Sequence, residues 1–239
     1  MASKAYRRKQ QVKELKKQKK GDFQKQERGK KRKSIAFYTV GIILFAGLIY
    51  LLATSASAPG YFPGPDNAPF VGPDDARVTV TQFGCYTCPF TQSFNVDVFP
   101  RLIDEYGDRV KFAYRTMPIY SNSGSERAAM AAWCAEEHGL FWEYHELLFS
   151  VPSFSDSTLR SHAQAVGLDE AEFNECLSSR RYRDVVRAEF DEGRRANIRV
   201  TPTIFINNTL VQGDHLRLDG AMELSVYRRV LDEMLTRDP

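Results

Sequence analysis

Cysteine is scarce in this chain. Four residues in 239 exclude a small scaffold held together by many disulfides. The four histidines, His138, His145, His162 and His215, show no finger-like spacing. No glycine-rich phosphate loop follows a strand, so no organic cofactor is implied. There is no internal repeat, which sets aside solenoids and propellers. The most consequential absence is of charge between Ile35 and Ala53, and it divides the sequence. Its formal net charge of +3 is a near-cancellation of a strongly basic arm over residues 1–34 and an acidic remainder.

The uncharged stretch IAFYTVGIILFAGLIYLLA would span roughly 28 Å as a helix, about one bilayer core. It is expected to be a transmembrane anchor. A cleaved signal peptide is the alternative, because Ala56-Ser57-Ala58 has the small-x-small form of a cleavage site. Arg28, Lys30, Lys31, Arg32 and Lys33 abut the span on one side, and no charge follows it until Asp66, so the N-terminus is expected in the cytoplasm and everything after Ala53 outside it. The arm offers only Tyr6 and Phe23 for stacking on bases. It is read as a topology signal that also touches anionic lipid, and not as a nucleic-acid-binding segment. Residues 54–75, rich in proline and glycine, read as a stiff spacer. The folded module is then expected to occupy 76–239.

Within that module Arg77 to Phe83 alternates as a strand does. Phe90, Phe94, Val98, Leu102 and Tyr106 repeat every four residues, which predicts a helix over 89–106 bent at Pro100. Val110 to Thr116 is a second strand, completing a βαβ unit of crossover length. Helices are predicted over 126–138, with Ser123 and Glu126 as a capping box, and over 140–149, 157–166 and 169–197. The run TIFIN after Pro202 predicts a strand, with Asn207-Asn208 as a tight turn and Thr209 to Gln212 returning as a hairpin. Asn207-Asn208-Thr209 also has the form of a glycosylation sequon. A last helix is predicted after Asp219 as N-cap. The layout is a βαβ half and a ββα half with helices, about 123–198, inserted between them.

The chemistry centres on Cys85-Tyr86-Thr87-Cys88, between the first strand and its helix. Unpaired N–H groups at a helix start favour thiolate over thiol, and two cysteines separated by two residues can cycle between dithiol and disulfide. Structural zinc is the rival reading, but it needs four ligands, and Cys134 and Cys176 stand apart from the pair and from each other. A purely structural Cys85–Cys88 disulfide is the other alternative. It would make the protein a noncatalytic thioredoxin-like binding or chaperone module. Cys134 with His138 has metal-ligand spacing, though a solvated histidine at a helix end explains His138 equally.

Three segments, QFGCYTCPFTQSFNVDVFPRLIDEYGDRVKFAYRTMPI, AAWCAEEHGLFWEYHELLF and VTPTIFIN, resemble the DsbA-like thiol oxidoreductases. These form the branch of the thioredoxin superfamily with a helical insertion and often a membrane anchor. The resemblance implies an α/β thioredoxin fold and thiol–disulfide exchange with exported client proteins, with electrons passing to a membrane redox partner. It also implies a cis Pro202 facing the active sulfur, with Thr201, Pro202 and Pro89 on the client-binding surface. The family pattern Cys-Pro-x-Cys falls on Cys88-Pro89-Phe90-Thr91. Cys88 therefore takes the nucleophile position and is expected to be the low-pKa attacking thiolate, Thr91 replaces the second cysteine, and Cys85 becomes the expected resolving thiol from upstream. A monothiol mechanism using Cys88 alone stays open. Gln82 stands where many relatives place an acid. In relatives a disulfide links helices of the insertion, which implies pairing of Cys134 with Cys176; two buried reduced thiols are the alternative.

Overall fold

The computed structural model describes residues 68–118, 123–150, 153–209 and 215–237. The basic arm, the expected span and the spacer up to residue 67 lie outside the described residues, within which no helix is long and apolar enough to cross a membrane. In chain order the elements are β1 (Phe70–Val71), β2 (Val78–Gly84), α1 (Pro89–Ser93), a π-helical segment (Phe94–Val98), α2 (Phe99–Tyr106) and β3 (Val110–Thr116). The inserted layer follows as α3 (Ser123–Glu136), α4 (Phe141–Ser150), α5 (Asp156–Ala165), α6 (Glu170–Ser178) and α7 (Arg183–Arg195). The chain closes with β4 (Thr203–Asn208), β5 (His215–Asp219) and α8 (Leu224–Thr236).

The five strands run in the order β1-β3-β2-β4-β5. Strands β2 and β3 pair in parallel, with Gly84 opposite Thr116; β4 runs antiparallel to β2, and β5 to β4. β1 falls inside the stretch expected as spacer, yet pairs with β3 through Phe70↔Ala113 and Val71↔Phe112. Strand alternation sorts the core. Val78, Val80, Phe112, Ile204 and Ile206 bury one face of the sheet against Phe94, Leu102, Tyr227 and Leu231. Phe83 and Phe205 bury the other face with Ile198. The inserted helices form their own core, in which the alanine run of α3 lets Trp133, Phe141, Tyr144, Phe149 and Phe173 pack closely.

Four local expectations are corrected. Pro100 does not simply bend one helix. Lacking an N–H and clashing with the carbonyl four residues back, it is accommodated by a π turn in which the Phe99 N–H reaches Phe94 O. The single helix expected over 169–197 is two, because Ser178 and Ser179 donate their hydroxyls to the carbonyls of Glu175 and Cys176, and Arg180 turns left-handed at φ 54°. Asn207-Asn208 is not a turn: both continue β4, where buried Asn208 donates to Met234 O; β5, His215–Asp219, pairs back onto β4, and the return expected over Thr209 to Gln212 falls, after Thr209, outside the described residues. Asp219 is not a helix cap, since its carboxylate accepts from Thr203 and Arg217 within β5; Glu223 precedes α8 instead.

Candidate active site

The strand-to-helix junction places the two cysteines differently. Cys88 is the N-cap of α1, in extended conformation, with Pro89 at the first helical position, where a missing N–H costs nothing. Its carbonyl accepts from Gln92 N, and its own N–H closes a turn onto Cys85 O. Cys88 is partly exposed, whereas Cys85 is 1% exposed. Both are free thiols. The Cys85 sulfur lies 3.1 Å from Thr87 Oγ1 and 3.3 Å from Ser125 Oγ, and the Cys88 thiol donates to it.

The Thr201–Pro202 peptide bond is cis. Gly220 N donates to Pro202 O, tying this corner to the end of β5. The Thr201 hydroxyl reaches the Cys88 sulfur. Cys88, Pro89 and Thr201 line an open groove of about 560 Å³ with Phe90, Met117, Phe190, Ile198, Arg199 and Val200. Phe90, 70% exposed, stands at its edge. The groove is thus an apolar surface with one reactive sulfur and one guanidinium.

Beneath the pair the site is closed. Gly84 admits no side chain, because a Cβ there would meet the Tyr114 ring and hydroxyl at 2.7 Å and Thr91 Cγ2 at 2.8 Å. Thr91, at the family's second-cysteine position, is fully buried, and Gln82 is nearly so; Thr91 Oγ1 and Gln82 Nε2 find no hydrogen-bond partner. A buried lattice sits alongside. The hydroxyl of Tyr86 bonds His145 Nδ1 at 2.9 Å, His145 Nε2 bonds Asn95 Oδ1 at 3.1 Å, and Asn95 Nδ2 donates to Thr91 O. Burial holds His145 down at about 3, so its ring is neutral. On α7 the buried Glu189 accepts from Thr116 N and Oγ1 and from Trp133 Nε1, which pins the insertion to the end of β3. Burial raises this carboxyl, while the Thr116 donors and Arg115 oppose the rise.

The same geometry polarises the thiols. Donation from Cys88 brings Cys85 down to about 5; burial opposes this, and Ser125 and Thr87 add to it. This reverses the expectation that Cys88 is the low-pKa thiolate: Cys88 is pushed up, first because it is the donor to Cys85 and then by burial, with Thr201 opposing. The pair therefore loses its first proton as a unit, and the charge rests on the buried sulfur. Between about 5 and the ordinary 9.0, Cys85 is ionised in the folded reduced protein and protonated in the unfolded chain. Its contribution to stability is complete above that window and is lost as pH falls through about 5. Thermal melts of the reduced protein should thus show a margin over Cys85→Ser that grows from pH 5 to pH 9; a margin independent of pH would contradict the assignment.

The structure brings Cys85, Cys88, Pro89 and Thr201 into one site, and Pro202 follows Thr201 through the cis bond. Cys134 on α3 and Cys176 on α6 lie apart from it, joined in a disulfide of 2.03 Å. His138 faces Glu172 at 3.8 Å. Sequence reasoning missed Thr87, Ser125 and Glu189. The latter two touch the site region from 40 and 73 residues away, and no spacing rule reaches that far.

Comparison with known proteins shows the family to which the chain belongs. The family described as Thioredoxin matches residues 66–232. Disulfide bond formation protein D of Bacillus subtilis is 30% identical over 165 residues, covering 63% of this chain and 72% of that one. The crystal structure of oxidised BdbD from Bacillus subtilis superposes with a TM-score of 0.65 at 26% identity, covering 74% of this chain and 98% of that one. Wolbachia pipientis alpha-DsbA1, at 19% identity and a TM-score of 0.64 over 72% of this chain and 92% of that one, is alike in fold. A reactive cysteine pair at a helix start, a cis-proline corner and an inserted helical layer thus occur together with these relatives, and the chain belongs to the thioredoxin family as a DsbA-like thiol–disulfide oxidoreductase.

Proposed function

We propose that this protein is a membrane-anchored oxidase of exported proteins, with Cys88 as the sulfur that bonds the client and Cys85 as its resolving partner. The observation that carries the reading is the unequal placement of the two sulfurs: Cys88 opens on the groove, while Cys85 is buried among donors. Starting from the Cys85–Cys88 disulfide, a client thiolate attacks Cys88 Sγ, and Cys85 leaves as a thiolate. The second client thiolate then attacks the client sulfur of the mixed disulfide and expels Cys88. The client gains a disulfide and the enzyme becomes a dithiol, two electrons having passed to it. A membrane-bound, disulfide-bearing redox partner takes those electrons and restores the enzyme disulfide. A leaving thiol of low pKa departs faster, and stabilising the reduced form raises the oxidising power of the pair, so the polarity favours oxidation over reduction.

The groove beside cis-Pro202 suits an extended client segment, held by backbone pairing at Thr201 and by apolar contacts to Phe90, Phe190 and Val200. The anchor reading rests on the uncharged residues 35–53 and the basic flank before them, with lipid as the arm's partner. It is tested by fractionating bacterial cells that produce the full chain. The protein should sediment with membranes, resist salt extraction and expose Cys88 to a membrane-impermeant maleimide in intact spheroplasts. Recovery in the soluble cytoplasmic fraction would contradict the reading.

A further inference from the structure

We propose that Ser125 is a positioning residue of the redox pair: its hydroxyl, carried in from the inserted helical layer, holds the Cys85 sulfur as the leaving thiolate. This rests on the reading of Cys85 as the buried partner. Three observations support it. Ser125 Oγ lies 3.3 Å from Cys85 Sγ, and the residue is 1% exposed, so water does not compete for the contact. Ser125 is the third residue of the 14-residue α3, so the first turn of the inserted layer carries its hydroxyl to the sulfur. Finally, the donors that lower Cys85, namely Cys88, Ser125 and Thr87, are all neutral.

The charged groups nearby are engaged elsewhere: Arg199 of the groove donates to Asn197 Oδ1, and the buried Arg115 of β3 pairs with Glu192. On α3, Glu126 faces Arg183 at 3.7 Å and Arg127 faces Asp156 at 2.5 Å. From α7, Glu189 is taken up by Thr116 and Trp133. From β3, Tyr114 faces the pair with its phenol raised well above the ordinary range by burial, so it stays neutral. Hydrogen bonding in place of a cation therefore sets the thiolate, and the inserted layer takes part in the chemistry as well as shaping the groove.

The test is Ser125→Ala in the full chain, read by equilibration with glutathione and by the ultraviolet absorbance of the thiolate against pH. Loss of one charge-assisted hydrogen bond should shift the equilibrium about tenfold toward the enzyme disulfide, about 30 mV more reducing for a two-electron couple. The thiolate midpoint should rise by about one pH unit, the same tenfold change. Ser125→Thr, which keeps the hydroxyl, should restore both values, and melting of the oxidised forms checks that all variants fold alike. Because the donors are neutral, the shift should persist at high salt. The titration is repeated in a Cys88→Ser background, where Cys85 ionises alone. An unmoved midpoint there overturns the role of Ser125, whichever sulfur the client meets. A shift there with the client bonded to Cys85 would instead overturn the reading of Cys85 as the leaving group.

Discussion

Cys88→Ser is expected to lower client oxidation by about three orders of magnitude or more, the scale of losing a covalent nucleophile. Cys85→Ser should abolish oxidation as well, because no enzyme disulfide can then form. The two variants separate in a single turnover against a disulfide substrate such as insulin. Cys85→Ser keeps the exposed sulfur and should still release one substrate thiol, within about tenfold of the wild-type rate, since it leaves Cys88 in place and removes the partner that pushes its thiol up. Cys88→Ser should release none, because Cys85 is 1% exposed and closed off by Tyr86, Tyr114 and the start of α3. Thr91 cannot take over the second role, since a buried hydroxyl neither ionises in this range nor attacks a disulfide.

Opening the Cys134–Cys176 bridge should produce the largest stability effect. It closes a span of 42 residues between α3 and α6, for which chain entropy gives roughly 4 kcal/mol. Both sulfurs are buried among Phe173, Leu177 and the alanines of α3, so paired replacement by alanine also removes packing. At roughly 2 to 4 °C per kcal/mol for a domain of this size, differential scanning calorimetry of the oxidised double variant should show a midpoint lowered by about 8 to 16 °C. The bridge belongs to the inserted layer, whereas the redox pair sits at the strand-to-helix junction. Single-turnover chemistry at a temperature where the variant is folded should therefore stay within about threefold of wild type. An unchanged midpoint would mean that the bridge contributes no net stability.

The parts of the fold legible in the sequence were those set by local rules. Alternation in VTVTQF and in the strand before Met117, the four-residue repeat from Phe94 to Tyr106, and a Cys-Pro pair at a helix start each depend on neighbours within one turn or one pleat, whereas Phe90, the first member of that repeat, is exposed at the groove edge. Failures came where a distant partner changed the outcome. Asn207-Asn208 has turn composition, yet a carbonyl on α8 satisfies the Asn208 amide and strand β2 pairs with both residues, so the backbone runs on. The apolar spacing from Phe173 to Phe190 carries no trace of the serine hydroxyls that take carbonyls and break it. Likewise the cysteine pair was visible, but the polarity expected of it, with Cys88 as the low-pKa thiolate, is reversed. The observed polarity comes first from the donation of Cys88 to Cys85, to which Thr87 and Ser125 add, and nothing in its own neighbourhood marks Ser125 as a thiolate donor.

The sharpest test is to let the oxidised protein meet a client peptide bearing one thiol, quench with acid, and map the mixed disulfide by mass spectrometry of unreduced fragments. The account predicts the peptide on Cys88 with Cys85 free. Linkage to Cys85, with Cys88 free, would contradict it.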